Sequence, residues 1–296
     1  MGKSQRPTLF CFGLGYCATR LARALQAGGW RIIGTSRDTA AIGRLEAKRF
    51  EVRRFARDAP LVDAADLLDE ATHLLNSVPP DDLGDPVLDV HGVDIAQRVR
   101  ARRLQWAGYL STTGVYGDRG GALVDETAAL TPAGERGRRR VRAEESWRAL
   151  HIEHGLPLHI FRLAGIYGPG RSAIDALRAG TARRIGKPGH VFSRIHVDDV
   201  VTVLRASMAR VEPGAIYNVC DDDPTPSEEV VAYAAELLGL APPALIDFEA
   251  ANLSAMARSF YADNKRVSNR RLKERLGVTL RYPSYRDGLK ALASDR

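Results

Sequence analysis

Cysteine is scarce in this chain of 296 residues: Cys11, Cys17 and Cys220 are all there is, without paired spacing. That excludes a disulfide framework and a cysteine zinc site. Six of the seven histidines, at 73, 91, 151, 154, 159 and 190, show no metal-ligand spacing either, and His196 is read with Asp199 as setting the start of a helix or contacting a ligand, so no metal is expected. Long apolar runs are also missing, and Met1 to Arg6 carries charge with no apolar segment behind it. No membrane partner is expected, and a cytoplasmic location follows as the default. Aromatic residues make up only 7% of the chain. The basic run Arg136-Gly137-Arg138-Arg139-Arg140-Val141-Arg142 has none interleaved for base stacking. Despite a formal charge of +7, nucleic acid is therefore not an expected partner.

Apolar content of 45% and charged content of 27% fit a globular protein with a sizeable core. Strand and helix signals alternate through the first half, the pattern of a parallel sheet with helices on both faces. Strands are predicted over 8–12, 31–35, 51–55, 72–76, 106–111 and 158–162, and helices over 16–27, 40–48, 62–69, 87–103 and 138–153. Later come a short strand ending at Val197, a helix over 199–209 capped by Asp199, a strand over 215–220, and helices over 227–239, 268–276 and 284–292. The fold class expected is α/β: a Rossmann doubly wound parallel sheet plus a small C-terminal α/β substrate lobe. The domains are drawn at 1–165 and 166–296, with parts of 195–220 returning to the main sheet.

The richest segment is Thr8 to Ala18, where an apolar strand ends in Gly13-Leu14-Gly15-Tyr16-Cys17-Ala18 and a helical pattern follows. Gly13 permits the sharp turn, Gly15 leaves no side chain between backbone and pyrophosphate, and Ala18 lets helix and strand pack. The positive end of the helix then receives the phosphates, next to Tyr16 and Cys17. Cys17 there is either a packed residue or an oxidisable thiol with a lowered pKa. The second strand ends in Ser36-Arg37, where an NAD-preferring site would offer an acid. A guanidinium suits a 2′-phosphate, so NADP is preferred over NAD, although Asp38 could still reach the ribose. Strand-end loops place the ligand in such sheets, which brings in Pro79 and the segments 111–121 and 165–170. Arg171 and Arg194 flank that cleft, where they either grip a phosphate or pair with surface acids.

Five segments in order resemble the NAD-dependent epimerase/dehydratase branch of the short-chain dehydrogenase/reductase superfamily. They are Gly13 to Ala18, Ser111 to Asp118, Arg162 to Gly170, Ile195 to Val200 and Ile216 to Val219. The resemblance implies oxidoreduction or epimerisation of a small molecule, often a nucleotide-sugar or other phosphorylated compound, frequently by a homodimer. It assigns Thr112 the hydrogen bond to the reacting oxygen and makes Tyr116 and Tyr167 structural positions near substrate. The family's Tyr-x-x-x-Lys pair is absent: aligning Pro132 and Glu144 puts Arg136 at the tyrosine and Arg140 at the lysine. An arginine holds its proton at neutral pH and cannot replace a tyrosinate as general base.

Three readings follow. Tyr116 or Tyr167 takes over the acid/base role. Or Arg136 and Arg140 clamp a developing oxyanion or anionic substrate, with water as the proton source and Arg140 on the ribose. Or the protein binds cofactor without turnover, as a sensor or scaffold. The chain is most similar to the atypical division of the superfamily, which includes small bacterial proteins of unknown substrate with a Gly-Pro-Gly-Arg loop like Gly168 to Arg171.

Overall fold

The computed structural model describes residues 6–101 and 103–294; the N-terminal Met1 to Gln5 considered above lies outside them. In chain order the elements are β1 (Thr8–Phe12), α1 (Tyr16–Ala27), β2 (Arg31–Ser36), α2 (Thr39–Glu46), β3 (Glu51–Arg54), α3 (Ala64–Asp69), β4 (His73–Asn76), α4 (Pro86–Arg100), β5 (Trp106–Thr112) and β6 (Leu123–Val124). They continue with α5 (Glu135–His154), β7 (Leu158–Leu163), β8 (Gly165–Tyr167), α6 (Ala173–Arg178), β9 (Arg184–Gly186), β10 (Arg194–His196), α7 (Val197–Ala209) and β11 (Ala215–Val219). The last are α8 (Ser227–Leu237), β12 (Leu245–Asp247), α9 (Ala255–Phe260), β13 (Arg266–Val267), α10 (Arg270–Leu276) and α11 (Tyr285–Ser294).

Seven strands form one sheet in the order β11-β7-β5-β4-β1-β2-β3. Pairing is parallel through β3, β2, β1, β4 and β5. β1 is buried along its whole length, because a central parallel strand is covered on both faces. Helix α1 presents Ala18, Leu21, Ala22 and Leu25 to the core at helical spacing. Asp85 caps α4 by accepting from the Val87 and Leu88 N–H groups, and Pro86 follows as its first residue.

Two compact units divide the chain. The first holds the residues up to Ser111 with Arg139–Phe161 and Leu204–Ile216. The second holds Thr112–Arg138, Arg162–Val203 and everything from Tyr217 on. These units differ from the division at 165 in that Thr112–Arg138 groups with the later residues, while Leu204–Ile216 groups with the first unit. The first unit's core joins Phe10, Phe12, Leu74, Tyr109, Trp147 and Ile160. A separate core in the second unit joins Tyr167, Ile174, Ala234, Tyr285 and Leu289.

Most predicted elements, the short strand β10 among them, agree with the structure to within a few residues, while α6, α9, β8 and the short strand pairs β9/β12 and β6/β13 were not anticipated. Asp199 departs from its expected role as a cap. It sits inside α7, fully buried, and its two carboxylate oxygens accept from the N–H groups of Arg281 at 2.7 Å and Tyr282 at 3.0 Å. The carboxylate fastens a distant segment because those two N–H groups have no strand partner to satisfy them. Among the described residues no helix is long and apolar enough to cross a membrane, and no group of His, Cys, Asp and Glu could hold a metal ion.

Candidate cofactor and active site

In the first unit the turn after β1 is held from two sides. The Gly13 N–H donates to Thr35 Oγ1 at 2.9 Å, and the Leu14 N–H donates to the Thr35 carbonyl at 2.8 Å. Gly13 has φ of +82°, and a Cβ on it would stand 3.1 Å from Val78 Cγ2 and 3.3 Å from the Val78 nitrogen. Both the backbone conformation and the loop after β4, with Pro79 next to Val78, therefore demand glycine. Gly15 is different: it is exposed, with φ of −80°, and a Cβ there would meet only Ser77 Oγ at 3.8 Å. No side chain caps α1, and its first turn carries no acid. Such an open, positive helix start fits a diphosphate. Tyr16 is half-buried beneath the Arg20 guanidinium, whereas Cys17 and Ala18 are buried, in keeping with packing for Cys17.

At the end of β2, Ser36 Oγ accepts from the Asp38 N–H at 3.2 Å. Asp38 itself caps α2 through Oδ1, which accepts from the Ala40 N–H at 2.9 Å, while Oδ2 lies 3.7 Å from Arg44. Arg37 is exposed and makes no hydrogen bond or ion pair among the described residues. Sequence reasoning missed Arg54, the register partner of Ser36 on β3 and likewise exposed. Only the parallel pairing of β2 with β3 brings it beside Arg37.

Arg140, on α5, is tied to the end of β5: its Nη1 donates to Tyr109 Oη at 3.1 Å and to the Leu110 carbonyl at 2.8 Å. The ring of Tyr109 stacks on Trp147, centroids 5.8 Å apart, and Trp147 Nε1 donates to Asp85 Oδ2 at 2.9 Å. Asn76 Nδ2 donates to the same oxygen at 3.1 Å. Burial raises the Asp85 pKa, opposed by the Trp147 donor, by the Leu88 and Val87 N–H groups and by the charge of Arg140. Burial likewise pushes the Tyr109 phenol far above its usual range. One turn further along α5, Glu144 accepts from Ser111 Oγ at 2.5 Å. None of these partners of Arg140 was legible locally, since each lies at least thirty residues away in sequence.

In the second unit, Thr112 Oγ1 accepts from the Gly114 N–H at 3.1 Å, which leaves the hydroxyl proton to donate. A Cβ on Gly137 would meet Pro132 Cβ at 2.5 Å and the Gly114 carbonyl at 2.9 Å, so the start of α5 lies directly on the turn that follows Thr112. Arg136, its neighbour, is exposed, and its guanidinium lies 5.4 Å from the centroid of the Phe260 ring. Tyr116 is fully buried; its hydroxyl donates to Asn218 Oδ1 at 2.6 Å and accepts from Arg162 Nη1 at 2.9 Å. The hydroxyl is thus engaged both as donor and as acceptor, and burial raises its pKa. The Asn218 N–H donates to Glu126 Oε1 at 2.8 Å, which completes a network around the fully buried Arg162. Tyr167 donates to the Ser284 carbonyl at 3.4 Å and, together with Arg171 and Arg194, lines a cavity of about 420 Å³.

An uncapped helix behind a Gly-x-Gly turn, at the carboxyl end of the first strand of a doubly wound sheet, defines a dinucleotide-binding Rossmann protein. The sequence carries the definition further: the chain belongs to the NAD dependent epimerase/dehydratase family, whose model matches residues 13–220. It is similar to a functionally unknown conserved protein from Silicibacter pomeroyi DSS, with 55% identity, a TM-score of 0.88, and coverage of 98% of this chain and 99% of that one. Protein YeeZ of Escherichia coli K12 is 28% identical over 277 residues, 92% of this chain and 94% of that protein. The 3-diazoavenalumate denitrifying reductase of a Streptomyces species is 28% identical over 314 residues, 90% of this chain and 99% of that protein. The UDP-glucuronic acid 4-epimerase of Bacillus cereus, solved with UDP-glucuronic acid and NAD, shares the fold with a TM-score of 0.78 at 17% identity, covering 97% of this chain and 98% of that one.

Proposed function

We propose that the protein is an NADP(H)-preferring oxidoreductase or epimerase of a sugar-like or anionic small molecule, working with Arg136 and Arg140 in place of the usual tyrosine and lysine. The observation that carries this reading is Arg140: its Nη1 is anchored by Tyr109 and Leu110, and Nη2 has no protein partner among the described residues. Arg136, one turn earlier on the same helix, has no ion pair among the described residues. Two fixed or unpaired guanidiniums suit a developing negative charge on a substrate oxygen, because they are charged before the reaction begins.

Gly13, Gly15, Tyr16, Cys17, Ala18 and Pro79 would hold the dinucleotide's phosphates. Ser36 and Arg37, joined by Arg54, would hold a 2′-phosphate; the involvement of both Asp38 oxygens with α2 and Arg44 supports that preference over a ribose hydroxyl. When bound, the nicotinamide supplies hydride exchange with a substrate carbon. Thr112 donates a hydrogen bond to the reacting oxygen, Arg140 steadies the ribose, Arg136 offsets the developing negative charge, and water supplies or takes up the proton. A nucleotide-sugar, the ligand of the Bacillus cereus epimerase, is one substrate class that meets these requirements.

A second reading, a cofactor-binding sensor without turnover, draws support from the locked hydroxyls of Tyr109 and Tyr116. Mixing the NADPH-loaded protein with a panel of sugar and carboxylate-bearing carbonyl compounds separates the two. Loss of reduced nicotinamide absorbance, slowed at least tenfold by Arg140→Gln, is the outcome expected of an enzyme. Absorbance unchanged by every compound while NADPH stays bound sinks the catalytic reading.

A further inference from the structure

The polar lining of the cavity in the second unit is Tyr167, Arg171, Ser172, Arg194 and Tyr285. Its apolar lining is Ala173, Val230 and Leu289. Arg194 is held in place, since its Nη1 donates to the carbonyls of Phe192 at 2.9 Å and Thr225 at 2.8 Å. Among the described residues no carboxylate lies within ion-pairing distance of it, and neither Nε nor Nη2 has a hydrogen-bond partner. Two buried oxygens nearby are also unsatisfied: Tyr285 Oη, on a residue only 1% exposed, and Asp221 Oδ2. Asp221 is joined to Arg194 by its own N–H, which donates to the Arg194 carbonyl at 2.7 Å.

Buried polar atoms left without partners are costly, and polar groups set among apolar side chains are the usual composition of a small-molecule site. We infer that this cavity binds a small molecule carrying an oxyanion, with its phosphate or carboxylate on Arg194 and Arg171 and an apolar body against Val230 and Leu289. The volume of about 420 Å³ lies within the range of such pockets. Burial pushes the Asp221 carboxyl up to about 8, so at neutral pH it is mostly uncharged and does not repel the anion. Tyr285 Oη supplies a neutral donor beside the guanidiniums. The inference rests on this cavity alone and stands whether or not the protein turns over a cofactor.

Calorimetric titration of the full chain with phenyl phosphate, phenylacetate and inorganic phosphate tests it, with and without NADP at high concentration so that binding at the β1–α1 turn is recognised. At least one phenyl compound should bind at least tenfold more tightly than inorganic phosphate. The preferred one tells whether the site takes a phosphate ester or a carboxylate. Arg171→Gln, on an exposed loop residue, should weaken that ligand about tenfold, the effect of one charge-assisted contact. Leu289→Asn should weaken the phenyl compound and leave inorganic phosphate unchanged. Arg194→Gln should abolish binding; because Arg194 also bridges two carbonyls, its melting curve is measured alongside, and Arg171→Gln decides the matter should that variant unfold. No saturable heat from either phenyl compound at millimolar concentration, or full affinity retained in Arg171→Gln, overturns the inference.

Discussion

Arg37 and Asp38 are adjacent in sequence and do opposite things. The aspartate closes the first turn of α2, an interaction that is local and always available, whereas the arginine is exposed with no hydrogen bond or ion pair among the described residues. A 2′-phosphate would give it one. Replacing Arg37 with Ala should therefore weaken NADP by about tenfold or more while NAD changes less than twofold, as read by equilibrium titration. Equal loss for both nucleotides would show that the residue does not sense the phosphate. Arg54→Ala should repeat the selectivity, since register places it across from Ser36.

Helix α5 begins in the Arg-rich run. From that start Arg139 pairs with Asp82 and Arg140 reaches the end of β5, and further along Trp147 is only 1% exposed. The helix approaches the turn after Thr112 closely because residue 137 has no side chain. Gly137→Val would force a Cβ to within 2.5 Å of Pro132, and overpacking of that kind costs about 1–3 kcal/mol. We expect a melting midpoint lower by roughly 2–4 °C per kcal/mol, together with loss of any turnover, because the turn that carries Thr112 would move. An unchanged midpoint would contradict the close approach.

At this scale the sequence was informative where structure is local. The strand, glycine turn and helix of 8–27 are legible because a buried parallel strand is apolar throughout and the turn permits few residues. Asp199 was misread because cap logic looks four residues ahead, and its true partners, Arg281 and Tyr282, are more than eighty away. The cavity was half legible: Tyr167, Arg171 and Arg194 lie close in sequence, but Val230, Tyr285 and Leu289 come from α8 and α11, which only tertiary packing brings to them.

For the whole molecule, two buried histidines set a response to acid. Burial holds both His73 and His159 at about 4, against about 6.5 for a free imidazole. Their folded values lie below the unfolded ones, so the stability they contribute is fully present above about 6.5 and is lost as pH falls through about 4. His159 Nε2 accepts from the Glu212 N–H at 2.9 Å, a bond that protonation would end. Melting midpoints should fall between neutral pH and about 4, and the fall should be shallower in His159→Gln. An equal slope in that variant would mean the histidine is not responsible.

The account as a whole depends on a diphosphate seated at the uncapped start of α1. Gly15 has an ordinary φ of −80° and open space around it, so Gly15→Asp should fold as the parent does while placing a negative charge where the phosphates belong. The direct test is calorimetric titration of both proteins with NADP and NAD. We predict saturable binding of NADP by the parent at micromolar concentration, weaker binding of NAD, and neither by Gly15→Asp. A well-folded parent protein that takes up neither nucleotide at millimolar concentration would contradict the account.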